Sequence, residues 1–218
     1  MKSKKTLKSI AVIGSGIMGS RIACHMANIG LDVLLLDIAP FSLNAVEEKA
    51  GLALDHPKVK NRIVNDALKA TLKSKPASLY KKDFINRVST GNLTDDFEKI
   101  GDADWIIEVV VERLDIKKQV FEKVEEYRKA GSIVSSNTSG IPIHQMLEDR
   151  SDDFKEHFLG THFFNPPRYL ELLEIIPTPH TQQEIVDLMM DFGDRHLGKT
   201  TVLCKDTPAF IANRVGVA

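Results

Sequence analysis

The sequence predicts an α/β protein: a doubly wound, Rossmann-type, mostly parallel sheet with a helical excursion after the second strand. Three observations carry this expectation. An apolar run over residues 10–13 ends in Gly14-Ser15-Gly16-Ile17-Met18-Gly19 and passes into a helical pattern over 20–27. A second apolar run, 33–36, ends in Asp37, about twenty residues on. Beyond it, β-branched runs alternate with amphipathic stretches, and polar residues gather where the runs end. That is the pattern of parallel strands joined by crossover helices, with ligands beyond the strand C-termini.

The first strand and its turn come first. Gly14 permits the tight turn, Gly16 lets phosphates approach the backbone, and Gly19 lets helix and strand pack closely. Free amides and the positive end of the helix dipole make the turn an anion site. A carboxylate at Asp37 can accept both ribose hydroxyls of an adenosine. After it, Pro40 breaks the strand, and residues 41–53 take up a helical pattern. Val59, Ile63, Val64, Leu68 and Leu72 then recur at helical spacing, with Pro57 restarting the segment and Pro76 ending it. The excursion over 41–83 reads as a helical hairpin standing off the sheet, either covering a ligand or serving as a structural antenna.

Residues 88–92 read as a short strand and turn, and 95–100 as a short helix. The almost continuous run 105–111 suits a strand buried on both faces, and it delivers Glu112 and Arg113 at its end. Residues 114–128 form an amphipathic helix with Ile116, Val120, Phe121 and Val124 on one face. Strands follow at 132–136, 158–164, 170–176 and 200–204, with helical patterns starting at Ile143 and running over 182–192. After Pro208 a new helix begins. Residues 1–205 thus read as one dinucleotide-binding domain, and 206–218 as the start of a helix begun and not finished.

Composition excludes several function classes. A net charge of −1 leaves no overall footprint for nucleic acid or an anionic membrane. Lys2, Lys4, Lys5 and Lys8 before an apolar run mimic a signal peptide. The run is too short, contains glycine and meets Arg21 without a cleavage pattern, so the lysines read as a solvated leader. No segment approaches the roughly twenty apolar residues of a membrane span. Cys24 and Cys204 lack CxxC spacing and a histidine set, which argues against a disulfide framework or a metal site and for a reducing, cytoplasmic setting.

Taken in order, Gly14–Gly19, Glu112 with Lys117, Ser136-Asn137-Thr138-Ser139, His162-Phe163-Phe164-Asn165-Pro166, Glu174 within Leu172–Ile176, and Asp206–Arg214 resemble the NAD-binding domain of the 3-hydroxyacyl-CoA dehydrogenase family. The resemblance covers nearly the whole chain. It implies oxidation of an L-3-hydroxyacyl-CoA to a 3-ketoacyl-CoA in fatty-acid β-oxidation, with NAD as hydride acceptor. By resemblance, Gly14, Gly16 and Gly19, with Ile17 and Met18 between them, line the pyrophosphate, and Asp37 the ribose. Glu112, Lys117 and Asn165 match positions near the nicotinamide half, and Ser139 matches a serine near the substrate hydroxyl. His162 matches the catalytic base, Glu174 its carboxylate partner, and Asn213 a polar residue beside the substrate carbonyl. The family also implies a homodimer formed through a helical C-terminal domain, and its longer forms sometimes carry an enoyl-CoA hydratase module.

The chemistry favours the same residue types. Hydride leaves a carbinol carbon easily only if the hydroxyl proton leaves too, and histidine suits that base. A carboxylate on its far nitrogen fixes the tautomer and stabilises the imidazolium. His162 and Glu174 fall on different predicted strands, so spacing alone does not pair them. The other histidines, His25, His56, His144, His157, His180 and His196, read as surface or packing residues. Two departures from the family stand out. Ala209 occupies a position that is usually glycine, which bears on packing at the helix start, and the excursion is longer than in compact members. Lys69, Lys73 and Lys75 there read as a solvated face, with CoA phosphates the alternative. Neighbouring dehydrogenases on this fold, acting on 3-hydroxyisobutyrate or 6-phosphogluconate, use a lysine base. A non-catalytic module of the lens-protein kind would not need His162, Glu174 and Asn213 together.

Overall fold

The computed structural model describes residues 6–216, so Lys2, Lys4 and Lys5 of the expected leader, with Val217 and Ala218, lie outside the described residues. Strand β1 (Ser9–Ile13) turns into helix α1 (Ile17–Asn28), and β2 (Asp32–Asp37) follows. The excursion contains α2 (Ala45–Lys49), α3 (Pro57–Lys60) and α4 (Arg62–Lys73) before β3 (Val88–Asn92). Then come β4 (Trp105–Glu108), α5 (Leu114–Tyr127), β5 (Ile133–Ser136), α6 (Asp152–Glu156), β6 (Phe158–Phe163), β7 (Leu172–Pro177), α7 (Gln183–Arg195), β8 (Thr200–Leu203) and α8 (Ala212–Gly216).

The described strands form one sheet in the order β3-β2-β1-β4-β5-β6-β7-β8. Its neighbours pair parallel except β6 and β7, which run antiparallel. Alternation along each strand feeds two cores. Ile10, Val12, Val33, Leu35, Trp105 and Ile107 join α1, α4 and α7 on one face. Ala11, Ile13, Leu36, Ile106 and Val134 join α5 and Phe154 on the other.

The excursion does not stand off the sheet. Val64 and Leu68 of α4 are buried in the same core as Ile22, Ala23 and Met26 of α1, so its apolar stripe has found the sheet. The segment is also divided rather than continuous. Asn44 caps α2 in a capping box with Glu47, Gly51 (φ +65°) turns the chain away, and Pro57 sits in the first turn of α3 under a His56 cap. Arg62 at the start of α4 pairs with Glu47 and donates to Ser42 O, tying the pieces together.

Strand β4 ends at Glu108, short of the apolar run. Val110 N turns back to donate to the Glu108 side chain at 2.6 Å, which takes it out of the sheet's hydrogen-bond ladder. The helix expected after Pro208 begins at Ala212. Ala209 (φ +63°) and Phe210 (φ +45°) precede it in the left-handed region, which is disfavoured for side chains larger than glycine.

Candidate active site

The C-terminal ends of β1, β4, β5 and β6 open onto one cavity of about 540 Å³. Gly16, Ile17, Met18, Glu112, Ser139, His162 and Asn165 line it together. Gly14, Gly19, Asp37, Lys117, Glu174 and Asn213 stand around it rather than in its lining. A larger groove of about 1170 Å³ lies away from these residues, between α5, the 3-10 turn Ile143–Leu147 and the ends of β7 and β8.

At the glycine end each glycine has its own reason. A Cβ on Gly14 (φ +103°) would stand 2.5 Å from Val109 O, and one on Gly19 would stand 1.8 Å from Gly14 O. Gly16 has nothing within 4 Å, and no side chain caps α1 at that residue. Open amides at a helix start with bare backbone beside them fit a pyrophosphate. Asp37 is drawn to the same loop: Ser15 N and Oγ donate to its Oδ2 at 2.6 and 2.5 Å. Its other oxygen accepts from Ile38 N at 2.7 Å. A second cleft of about 390 Å³ separates Gly16, Ile17 and Arg21 from Ala67, Ala70 and Thr71 of α4. The excursion is therefore a wall beside the loop, while Lys69, Lys73 and Lys75 are exposed.

The interior end is built from charges. Glu108 is fully buried and Lys117 is 1% exposed. Lys117 Nζ donates to Glu108 Oε1 at 2.7 Å and lies 3.4 Å from Glu112 Oε2. Ser136 Oγ donates to Glu108 Oε2 at 2.5 Å. Burial pushes the Glu108 carboxyl up, against the pull of the Lys117 charge and the Ser136 and Val110 donors. Sequence reasoning passed over Glu108. An acid inside an apolar β-branched run is itself the signal, because a buried carboxylate needs a buried partner. Glu112 holds the turn after β5: its Oε1 accepts from Thr138 Oγ1 at 2.5 Å, Ser139 N at 3.0 Å and Gly140 N at 3.2 Å. Burial works to raise the Glu112 carboxyl, but the Thr138 hydroxyl, the Lys117 charge and the Ser139 amide hold it below the usual range.

His162 and Glu174 are direct cross-strand partners in the antiparallel β6–β7 pair. His162 Nδ1 lies 2.7 Å from Glu174 Oε2. With the carboxylate ionised, Nδ1 carries the proton and Nε2 is left as the acceptor. Glu174 is fully buried and His162 6% exposed, with the Phe164 ring 4.3 Å from the imidazole between centroids. Cys204 lies beside Glu174, and its thiol is pushed up to about 12 by burial and then by the Glu174 charge. This thiol is inert at neutral pH.

Around the rim, Asn165 Oδ1 accepts from Arg21 Nη1 at 2.5 Å, and Asn213 Nδ2 donates to Ser139 O at 2.8 Å. Behind Asn165, Arg168 Nη1 donates to Ala77 O and Leu79 O at 2.6 and 3.0 Å. The buried Lys199 bonds Pro167 O and Leu170 O. Of the remaining histidines, His25 is buried with Nε2 3.1 Å from Leu197 O, and His144 Nδ1 lies 2.6 Å from Asp206 Oδ2. Among the described residues, no group of three or more His, Cys, Asp or Glu could hold a metal ion. Nor is any described helix long and apolar enough to cross a membrane.

Comparison with known proteins identifies the family. Residues 9–207 match the family model described as "3-hydroxyacyl-CoA dehydrogenase, NAD binding domain". A "Probable 3-hydroxyacyl-CoA dehydrogenase" of Bacillus subtilis is 58% identical over 212 residues, covering 97% of this chain and 27% of that protein. A "Putative fatty acid oxidation complex trifunctional enzyme" of Rickettsia felis is 44% identical over 210 residues, covering 96% of this chain and 27% of that protein. Among solved structures, 3-hydroxybutyryl-CoA dehydrogenase from Escherichia coli superposes with a TM-score of 0.72 at 28% identity, over 97% of this chain and 41% of that one. The chain thus spans only about a quarter of the length of these two curated relatives, 27% in each.

Proposed function

Because this chain belongs to the 3-hydroxyacyl-CoA dehydrogenase family, as its NAD-binding domain, we propose that the complete protein oxidises L-3-hydroxyacyl-CoA to 3-ketoacyl-CoA in fatty-acid β-oxidation. The observation that carries the reading is the 2.7 Å contact of His162 Nδ1 with Glu174 Oε2, in the wall of the cavity that also exposes Gly16. Bound NAD supplies the acceptor for the hydride leaving C3. The chain supplies the rest. His162 Nε2 takes the hydroxyl proton, and Glu174 holds the ring in the required tautomer and stabilises the imidazolium. Ser139 orients the substrate hydroxyl, and Asn213 sits beside the substrate carbonyl. The loop Gly14–Gly19, with Ile17 and Met18, cradles the pyrophosphate, and Asp37 takes the ribose. Glu112, Lys117 and Asn165 orient the nicotinamide half.

In this reading residues 1–205 are the dinucleotide-binding domain, and 206–218 lead into a helical domain that closes the acyl cleft and forms a homodimer. The greater length of the relatives, and the trifunctional name of one, support further modules such as an enoyl-CoA hydratase. The cytoplasm is the proposed location. The test is His162→Ala in the complete protein with 3-hydroxybutyryl-CoA. The expected fall in kcat is about 10²- to 10⁴-fold, roughly 3–5 kcal/mol of barrier, with NAD affinity unchanged. A variant that keeps most of its activity removes His162 as the base.

A further inference from the structure

Glu174 has two carboxylate oxygens, and only Oε2 faces His162. The other, Oε1, accepts from two consecutive backbone amides, Ile211 N at 3.0 Å and Ala212 N at 2.8 Å. These amides come from outside the sheet, from the segment that joins β8 to α8. Both donors reach one oxygen because the chain turns through Ala209 and Phe210, each in the left-handed region (φ +63° and +45°). Successive amides in such turns form concavities for anions. Two adjacent non-glycine residues in that region are disfavoured, and such strain persists only where the surroundings hold it.

What holds it is visible on three sides. Phe210 is buried at 2% exposure, and its ring centroid lies 6.0 Å from that of His162. Upstream, Asp206 accepts from Ile143 N at 2.6 Å and from His144 N at 2.8 Å. Downstream, Asn213 donates to Ser139 O at 2.8 Å. The segment is thus fastened to the turn after β5 at both ends and to the core in its middle, with its amides aimed at Glu174.

We infer that the 209–212 segment is a positioning element for the His162–Glu174 pair, its Ile211 and Ala212 amides fixing the carboxylate plane that presents Oε2 to Nδ1. The inference rests on the reading of His162 as the base. A carboxylate turns about its last side-chain bond with little hindrance. Oε1 therefore needs a partner if Oε2 is to stay on the imidazole, and this segment provides two. Displacing α8 from the sheet would carry Asn213 away with it, leave His162 and Glu174 on their strands and still loosen the base.

Ala212→Pro in the complete protein tests this, since proline suits a first helical position but has no N–H to donate. The expected result is a fall in kcat of about 10- to 100-fold, by analogy with the loss of an outer partner behind a metal-ligating histidine. NAD affinity should be unchanged, and the Nδ1 proton of His162 in ¹⁵N-histidine-labelled protein should shift upfield or broaden. Ala212→Ser, which keeps the N–H, should restore both rate and signal. Should the proline variant fold poorly, replacing Ala212 by lactic acid exchanges the N–H for an ester oxygen with the same shape. Added to His162→Ala, either change should cost nothing further in rate. If His162→Ala abolishes turnover while loss of the 212 amide leaves both kcat and the Nδ1 signal intact, the inference fails and the proposed base survives. If His162→Ala itself stays active, the base assignment fails, and this inference with it.

Discussion

At the glycine-rich end of the cavity the chain offers backbone: Gly16 has nothing within 4 Å, and α1 carries no side-chain cap there. At the β4–β7 end it offers buried carboxylates, each with a partner, Lys117 on Glu108 at 2.7 Å and His162 on Glu174 at 2.7 Å. The first kind of site costs little to keep empty, since its amides are open to water. The second must be assembled whole, because a buried ion without its partner is far more costly than the pair. Substitutions that touch only the open amides should therefore fail in ligand affinity, and substitutions in the buried pairs in folding.

The strongest way to break this contrast is Glu108→Gln. It leaves the Lys117 ammonium buried with only Glu112 at 3.4 Å for a counter-charge. The expected loss is about 3–5 kcal/mol of stability in urea titrations, with much of it recovered when Lys117→Met is added. A loss below 1 kcal/mol would put both ends in the same class. Gly19→Ala is next. Its Cβ would stand 1.8 Å from Gly14 O, so α1 must move off β1 at a cost of about 1–3 kcal/mol. Gly16→Ala should leave the melting temperature alone and weaken only NAD binding in calorimetry.

The third test uses a half-satisfied buried histidine of α1. His25 on α1 is buried, with no partner for Nδ1, and burial, followed by the Lys199 charge, lowers its pKa from 6.5 to about 4. Between those values the unfolded chain binds a proton that the folded one refuses. Its contribution is thus fully present above pH 6.5 and is lost as pH falls toward 4. The slope is about 1.4 kcal/mol per pH unit, or roughly 2 kcal/mol by pH 5. Calorimetric melting at pH 7 and 5 should show this slope in the parent protein and a flatter one in His25→Gln. The smallest expected effect is that of Asp37→Asn, which removes the charge that disfavours a 2′-phosphate. It should narrow the preference for NAD over NADP by about tenfold, or 1.4 kcal/mol, with folding untouched.

The same contrast governs what could be read from the sequence. The glycine end is local: Gly14, Gly16 and Gly19 lie within one turn, and Asp37 closes the next strand, so spacing alone announces them. The interior end is not local. Nothing in the order of residues says that β7 reverses direction beside β6, and that reversal is what sets Glu174 opposite His162; only the family resemblance joined them. Glu108 was hidden inside an apolar run because a strand buried on both faces has no alternation to interrupt. The excursion was legible as helix from Val59, Val64 and Leu68, yet helical spacing does not say what the apolar stripe meets, and α4 meets the sheet. Ala209, flagged as a departure on grounds of packing, matters for its positive φ instead.

The antiparallel register has one more consequence. In a pleated pair the residue facing His162 can change only in whole steps. A slip of β7 by one residue would bring Leu173 or Ile175 opposite the imidazole and turn Glu174 toward the other face of the sheet. The base and its partner therefore have no graded separations available along the strand, only engaged or absent. Drift in this sequence can reshape the rim of the cavity by degrees, but at this position it meets an all-or-none choice.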